Sequence, residues 1–195
     1  VINCLFNGKE DPQNMSKKKL LWMDLEMTGL DENTDKILEI AAIITDYELN
    51  PLSEKHYIIF QPPEVLENMN DWCKEHHGKS GLTALIPTGW QLHEAERELT
   101  EWVEQEIGKK QGKDGAVLAG NSIHNDRRFL ELHMPEFAKT LHYRMVDVSS
   151  FKEVFRERYQ VKYDKKNAHR AIGDLHESIG ELKYYLSFVK LPIAH

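Results

Sequence analysis

Cysteine is almost absent from this 195-residue chain, with Cys4 and Cys73 the only two. They form no disulfide framework, the pattern expected in a reducing compartment. Long apolar runs are missing as well: no uninterrupted stretch reaches the roughly 20 residues that span a bilayer as a helix, so no membrane partner is expected. Internal repeats, low-complexity tracts and a linker to a second domain are also lacking, which points to one domain. Basic charge is short. There are 25 Lys and Arg against 32 Asp and Glu, a net charge of −7. Such a chain is poorly equipped to neutralise many phosphates at once, so a long nucleic acid fits it less well than a short one. What the chain does have is 41% hydrophobic residues, enough for a sizeable core.

The apolar residues are arranged as an α/β pattern. Leu20-Leu-Trp-Met opens an apolar run, and Lys36–Thr45 is rich in β-branched residues. His56–Phe60 reads as a third strand, and turn-like Asp31–Asp35 and Glu48–Pro51 between the three imply an antiparallel meander. Pro63 is expected to open a helix with Val65, Leu66, Met69 and Trp72 on one side, stopped by Gly78. Thr88-Gly-Trp-Gln91 fits a capping box ahead of a helix through Leu92, Ala95, Leu99, Trp102, Val103 and Ile107. A polar loop, Gly108–Gly115, leads to a strand at Ala116–Ala119 and then a helix that Pro135 interrupts. Arg144–Val148 is the last expected strand, with Ser149 or Ser150 capping the next helix. The final helix carries Ile172, Leu175, Ile179, Leu182, Leu186 and Val189 as one stripe, with Asp174 beside it.

Five ionisable residues do not belong to this core pattern: Asp24, Glu26, Asp126, His169 and Asp174. On a strand, residues i and i+2 share a face, so Asp24 and Glu26 point the same way where the apolar run ends toward Thr28-Gly29. Two carboxylates so placed repel unless a cation shares them, and hard ions such as Mg²⁺ and Mn²⁺ take oxygen ligands. Edge charge against aggregation is the bland alternative for this pair, and a first-turn helix acid is the alternative for Asp126. His169 and Asp174, five residues apart, would diverge by about 140° on one regular helix. His169 is therefore expected at the helix entrance or on the preceding loop, with Asp174 on the first turns. Four carboxylates and one imidazole suit two metals and a general base, the parts for cutting a phosphodiester with water.

The order of these five and their surroundings resemble the DEDD exonuclease superfamily, in the branch whose base is a histidine five residues before the last aspartate. The stretches Asp24–Leu30, Asp71-Trp72, Lys79–Leu82, Gly120–Ile123, His142–Arg144 and Asp147–Ser149 narrow the resemblance to oligoribonucleases, over about Leu20 to Leu191. The resemblance implies an RNase H-like mixed sheet flanked by helices, and a 3′-to-5′ exoribonuclease that takes dinucleotides and other very short RNAs to 5′ mononucleotides. It implies two divalent ions, Mg²⁺ or Mn²⁺, held by Asp24, Glu26, Asp126 and Asp174, with His169 as the base. Residues 20–195 would be a single exonuclease domain. Residues 1–19 would be an N-terminal extension, with a native segment, an upstream start and a cloning remnant all open. Val1-Ile2 and Leu5-Phe6 lack the basic start and long apolar core of a secretory signal.

Substrate residues follow from the same resemblance. Trp72 would stack on a base and Leu30 would wedge between two, although core packing is an equally ordinary role for each. Ser122, Arg144, Ser149, Lys152 and His77 match positions that grip a terminal 5′ phosphate, for which guanidinium and hydroxyl donors are suited. Tyr143 matches a tyrosine given by the partner subunit of a homodimer. The compartment implied is the cytoplasm, or a mitochondrion in a eukaryote. The rival reading is a histidine-type DEDD exonuclease working on longer RNA or DNA 3′ ends; a binding module with a degenerate metal site and a purely structural protein rank below it.

Overall fold

The computed structural model describes residues 18–164 and 170–190. Three strands, β1 (Leu20–Met27), β2 (Ile37–Thr45) and β3 (Pro51–Ile58), run antiparallel to their neighbours, as the close succession of apolar segments predicts. Two further strands, β4 (Ala116–Gly120) and β5 (Leu141–Asp147), add in parallel to give the order β3-β2-β1-β4-β5. The helices are α1 (Pro63–Glu67), α2 (Asp71–Lys79), α3 (Leu82–Leu85), α4 (Leu92–Glu106), α5 (His124–His133), α6 (Pro135–Ala138), α7 (Val148–Tyr159) and α8 (Ala171–Leu186). This mixed sheet with helices on both faces is the RNase H-like arrangement expected.

Strand alternation decides which face each β1 side chain takes. Leu21, Met23 and Leu25 join a cluster with Leu99, Val103, Phe129 and Phe137 from α4, α5 and α6. Leu20 and Trp22 point the other way, against Val148, Leu175, Ile179 and Leu182 from α7 and α8. The buried Trp22 indole donates to Thr45 Oγ1 at 3.0 Å, so its one polar atom is satisfied inside the core. The even-numbered face of β1 is therefore the α8 face, and Asp24 and Glu26 continue it beyond the apolar residues.

Several local expectations change. β3 starts at Pro51, earlier than the expected His56; a proline is tolerated there because it is the first residue of an edge strand. β5 likewise begins at Leu141 and not Arg144. The single helix expected from Pro63 is two. Asn70 interrupts it, its side chain accepting the Cys73 amide at 2.8 Å as the cap of α2, and Gly78 lies inside α2 and does not end it. The buried face of this segment is Met69, Cys73 and His77 at four-residue steps, which turns Trp72 to solvent.

The capping box at Thr88 does not form, because its hydroxyl donates to Leu85 O and Gln91 is the residue before α4. Asp147 caps α7 in place of either serine, accepting the Ser149 amide at 2.9 Å. On α8 the buried stripe runs through Leu175, Ser178, Ile179, Glu181, Leu182 and Tyr185, so Leu186 and Val189 are exposed. Glu181 is tolerated inside because Tyr185 Oη and Asn121 Nδ2 each donate to it at 3.0 Å.

Candidate active site and metal centre

Three of the sequence-predicted carboxylates meet at the carboxyl end of β1. Asp24 and Glu26 on β1 and Asp174 in the first turn of α8 each offer an oxygen, all within 4.8 Å of one another. Strand alternation supplies the first two, and packing of Ala171 and Leu175 against the sheet supplies the third. All three are half-buried, so each retains access to solvent and a ligand. The charge this concentrates is visible in Glu26. Burial, then the charges of Glu39, Asp174 and Asp126, push its pKa up to about 8, although Arg170 pulls the other way. A bound divalent cation would relieve that crowding, and an all-oxygen donor set suits a hard ion, so the cluster fits the divalent metal the sequence implies.

Asp126 enters from the first turn of α5 and is buried. The ladder between β1 and β4 ends at Trp22 and Ala119, which leaves the later β1 amides free on that side. Asp126 Oδ1 takes one of them, Leu25 N, at 2.9 Å. Burial raises the Asp126 pKa to about 7, opposed by the amide bonds from Leu25 and its own backbone. Asp126 thus braces the strand between Asp24 and Glu26 and lies outside the three-carboxylate group. Gly120 allows the close approach here, since a Cβ would meet Met23 O at 2.8 Å. His169, the expected base, lies outside the described residues.

His77 lies against the strand that carries Asp24 and Glu26. Its side chain, on a residue only 1% exposed, donates Nε2–H to Met27 O at 2.9 Å and turns Nδ1 toward Glu26 Oε2 at 3.8 Å. The carbonyl can only accept, so Nε2 carries the proton and Nδ1 faces the carboxylate. Both ring nitrogens are directed at β1, one at Met27 O and one at Glu26. Its burial at four-residue spacing from Cys73 is the signal that distinguishes it.

Ser122 and Ser149 do come together. Ser122 sits at φ 49° in the turn after β4, its amide donating to Ser149 Oγ and Asp147 Oδ1 at 3.0 Å each, with the two hydroxyl oxygens 3.1 Å apart. Asp147 organises this turn, its Oδ1 accepting the amides of both Ser122 and Ser149, a role the sequence analysis did not give it. Arg144 and Tyr143 are exposed on edge strand β5, the guanidinium 5.3 Å from the tyrosine ring centre. Lys152 is half-buried on α7. Trp72 is 67% exposed and Leu30 66%, which removes core packing as the explanation for either. Two residues that the sequence reading did not single out also border the site. Glu39, the Cα partner of Glu26 across the β1–β2 ladder, is fully buried and ion-paired to Arg170. A lone charge in the apolar run Ile37–Thr45 is the clue, since charges are almost never fully buried without a partner.

Comparison with known proteins agrees with this geometry. The family model described as Exonuclease (RNase T) matches residues 21–182. The mouse protein named mitochondrial oligoribonuclease is 49% identical over 175 residues, covering 86% of this chain and 72% of its own. A probable oligoribonuclease of Dictyostelium discoideum is 49% identical over 176 residues, with 88% and 90% covered. The oligoribonuclease of Hydrogenovibrio crunogenus is 44% identical over 182 residues, with 91% and 97% covered.

Among solved structures, exonuclease I from Methylocaldum szegediense superposes with a TM-score of 0.66 at 17% identity, over 88% of this chain and 41% of that one. Escherichia coli exonuclease I in complex with a dA16 oligonucleotide gives 0.65 at 12% identity, over 87% and 41%. This chain spans about two fifths of those proteins, and the likeness is one of fold. The matched range contains the strand and helix that carry the three carboxylates, and the chain belongs to the oligoribonuclease family of exonucleases.

Proposed function

We propose that this protein degrades very short RNA from the 3′ end to 5′ mononucleotides, with Asp24, Glu26 and Asp174 as the ligands of a divalent-metal centre. The observation that carries the reading is the meeting of those three carboxylates within 4.8 Å at the end of β1. Mg²⁺ or Mn²⁺ are the ions that suit them, two in number, with Asp126 supporting the second directly or through water. Bound there, the ions would supply electrostatic stabilisation of the charge that builds on the attacking and leaving oxygens.

The protein's own groups do the rest. Asp24 and Glu26 hold the centre on a rigid strand, and Asp126 keeps that strand in place through the Leu25 amide. His169, one residue before Arg170, takes the proton from the attacking water. Trp72 offers an exposed π-face to a base, and Leu30 an apolar wedge. Ser122, Ser149, Arg144 and Lys152 receive the 5′ phosphate of a dinucleotide, the hydroxyls and the cations answering the extra charged oxygens of a monoester. His77 acts behind Glu26, in support of the ligand and not in this phosphate grip. A second subunit would bring Tyr143 to the site across a homodimer.

Residues 20–195 act as one exonuclease domain preceded by the 1–19 extension. Among the described residues no helix is long and apolar enough to cross a membrane. The names of the mammalian relatives favour a mitochondrial setting for a eukaryotic source; the cytoplasm is the other. The test is product analysis: 5′-labelled dinucleotide RNA should yield labelled 5′ mononucleotide in Mg²⁺ or Mn²⁺ and nothing with chelator. Cyclic phosphate products, or turnover that survives chelation, would refute it.

A further inference from the structure

Glu39 has no place in the mechanism above, yet it is 0% exposed and made no cheaper by apolar neighbours. It is held from two sides. Arg170 Nε reaches Oε1 at 3.0 Å and Oε2 at 3.3 Å, and Arg170 Nη2 reaches Oε1 at 2.8 Å. His56 Nε2, from β3, lies 2.5 Å from Oε1. Burial alone would raise the Glu39 pKa; the bonds from His56 and Arg170 outweigh it and keep the group below the usual glutamate range.

Glu39 sits on β2, beside the strand that carries Asp24 and Glu26, and Arg170 immediately precedes the helix that carries Asp174. Glu39 is directly opposite Glu26 in the β1–β2 ladder. Arg170 is the residue before α8, and its carbonyl accepts the Asp174 amide at 3.0 Å. The start of α8 has no side-chain cap of its own, and the Arg170 fork ties this helix end to β2. A buried ion pair is weak evidence for stability, because desolvation offsets most of its attraction. Its two-point geometry is better suited to orientation.

We propose that Glu39 and Arg170 are a positioning pair that fixes the first turn of α8, and with it Asp174, against Asp24 and Glu26. The pair sets how well three carboxylates on two elements converge on a cation, and it anchors the peptide that follows His169. The inference rests on the reading of Asp24, Glu26 and Asp174 as cation ligands.

Two variants test it, each measured for Mn²⁺ affinity by titration calorimetry, for kcat and KM on a dinucleotide, and for Tm. Arg170→Lys keeps the charge but loses the fork. Mn²⁺ affinity should fall about tenfold and kcat roughly 10- to 100-fold, the range for partners that orient metal ligands. KM should move less than about threefold, since the substrate contacts are untouched. The double variant Glu39→Gln/Arg170→Met keeps the summed charge of the pair at zero and removes its directional bonds. Its Tm should stay near wild type while metal affinity and kcat stay reduced. A double variant with wild-type affinity and kcat would mean that Arg170 only balances the Glu39 charge, and Arg170→Lys with wild-type values would also overturn the proposal. Wild-type protein that binds no Mn²⁺ would instead refute the metal-centre reading on which the pair depends.

Discussion

Asp126 accepts the backbone amide of Leu25 at 2.9 Å, and Leu25 is the residue between Asp24 and Glu26. One carboxylate from the far side of the sheet therefore holds the strand segment that presents the other two. Burial raises the Asp126 pKa against the pull of that amide, while the three clustered carboxylates remain half-buried.

Asp24→Asn should abolish hydrolysis without unfolding the protein. In the metal-free state it relieves repulsion among carboxylates within 4.8 Å of one another. That relief is worth on the order of 1 kcal/mol in a solvent-like dielectric. Calorimetry of the apo variant should give an unchanged Tm or one raised by about 2–4 °C. A large drop would mean that Asp24 is chiefly a structural residue.

Glu26 gives the pH dependence. Its folded-state pKa, about 8, lies above the ordinary glutamate value of 4.5. The sign follows from linkage: the folded apo protein binds the proton more tightly, so the contribution is full below about 4.5 and is lost as pH rises through about 8. Apo Tm should fall over that window, and the gain in Tm on adding Mg²⁺ should grow, because the ion displaces the proton. Glu26→Gln should flatten both trends. An apo Tm that rises across the same window in the wild type would contradict this assignment.

The proposed base predicts a separable defect. His169→Ala should lower kcat by about two to four orders of magnitude, with dinucleotide binding in Ca²⁺ little changed. The acidic limb of the rate–pH profile should disappear with it. If that limb persists in the variant, another group takes the proton.

His77 and Arg144 should separate by the 5′ end of the substrate. His77 contacts Met27 O and faces Glu26, so His77→Ala should weaken Mn²⁺ affinity by about 10-fold or more and slow 5′-phosphorylated and 5′-hydroxyl dinucleotides equally. Arg144→Ala should cost the phosphorylated substrate roughly 2–5 kcal/mol and spare the other. Loss confined to the phosphorylated substrate in the His77 variant would return that histidine to the phosphate grip.

Most of the fold was legible because local signals and the tertiary result coincide. Alternation along Leu20–Glu26 puts Trp22 in the core and Asp24 and Glu26 on one face, and nothing elsewhere overrides it. Misreadings cluster where two residues compete for one role. Asn70 and Gly78 could each end a helix, and Asp147, Ser149 and Ser150 could each cap one; side-chain geometry chose Asn70 and Asp147. The convergence of Asp174 on β1 was readable only through family resemblance, since helical periodicity says nothing about which strand end a helix meets. Glu39 and Arg170 escaped notice because their pairing joins positions 131 residues apart. His77 shares four-residue spacing with Met69 and Cys73, but that spacing cannot say that its ring faces Glu26.

The central claim is that the site is built for the shortest RNA, and initial rates against length test it most directly. Wild-type protein with Mg²⁺ or Mn²⁺ should be given 5′-phosphorylated RNAs of two, three, seven and twenty nucleotides at equal concentration. A grip on the terminal 5′ phosphate can be satisfied only when that phosphate lies one residue from the scissile bond, so kcat/KM should be highest for the dinucleotide and fall with length. Rates that are flat or that rise toward twenty nucleotides would contradict the account and leave a general 3′ exonuclease.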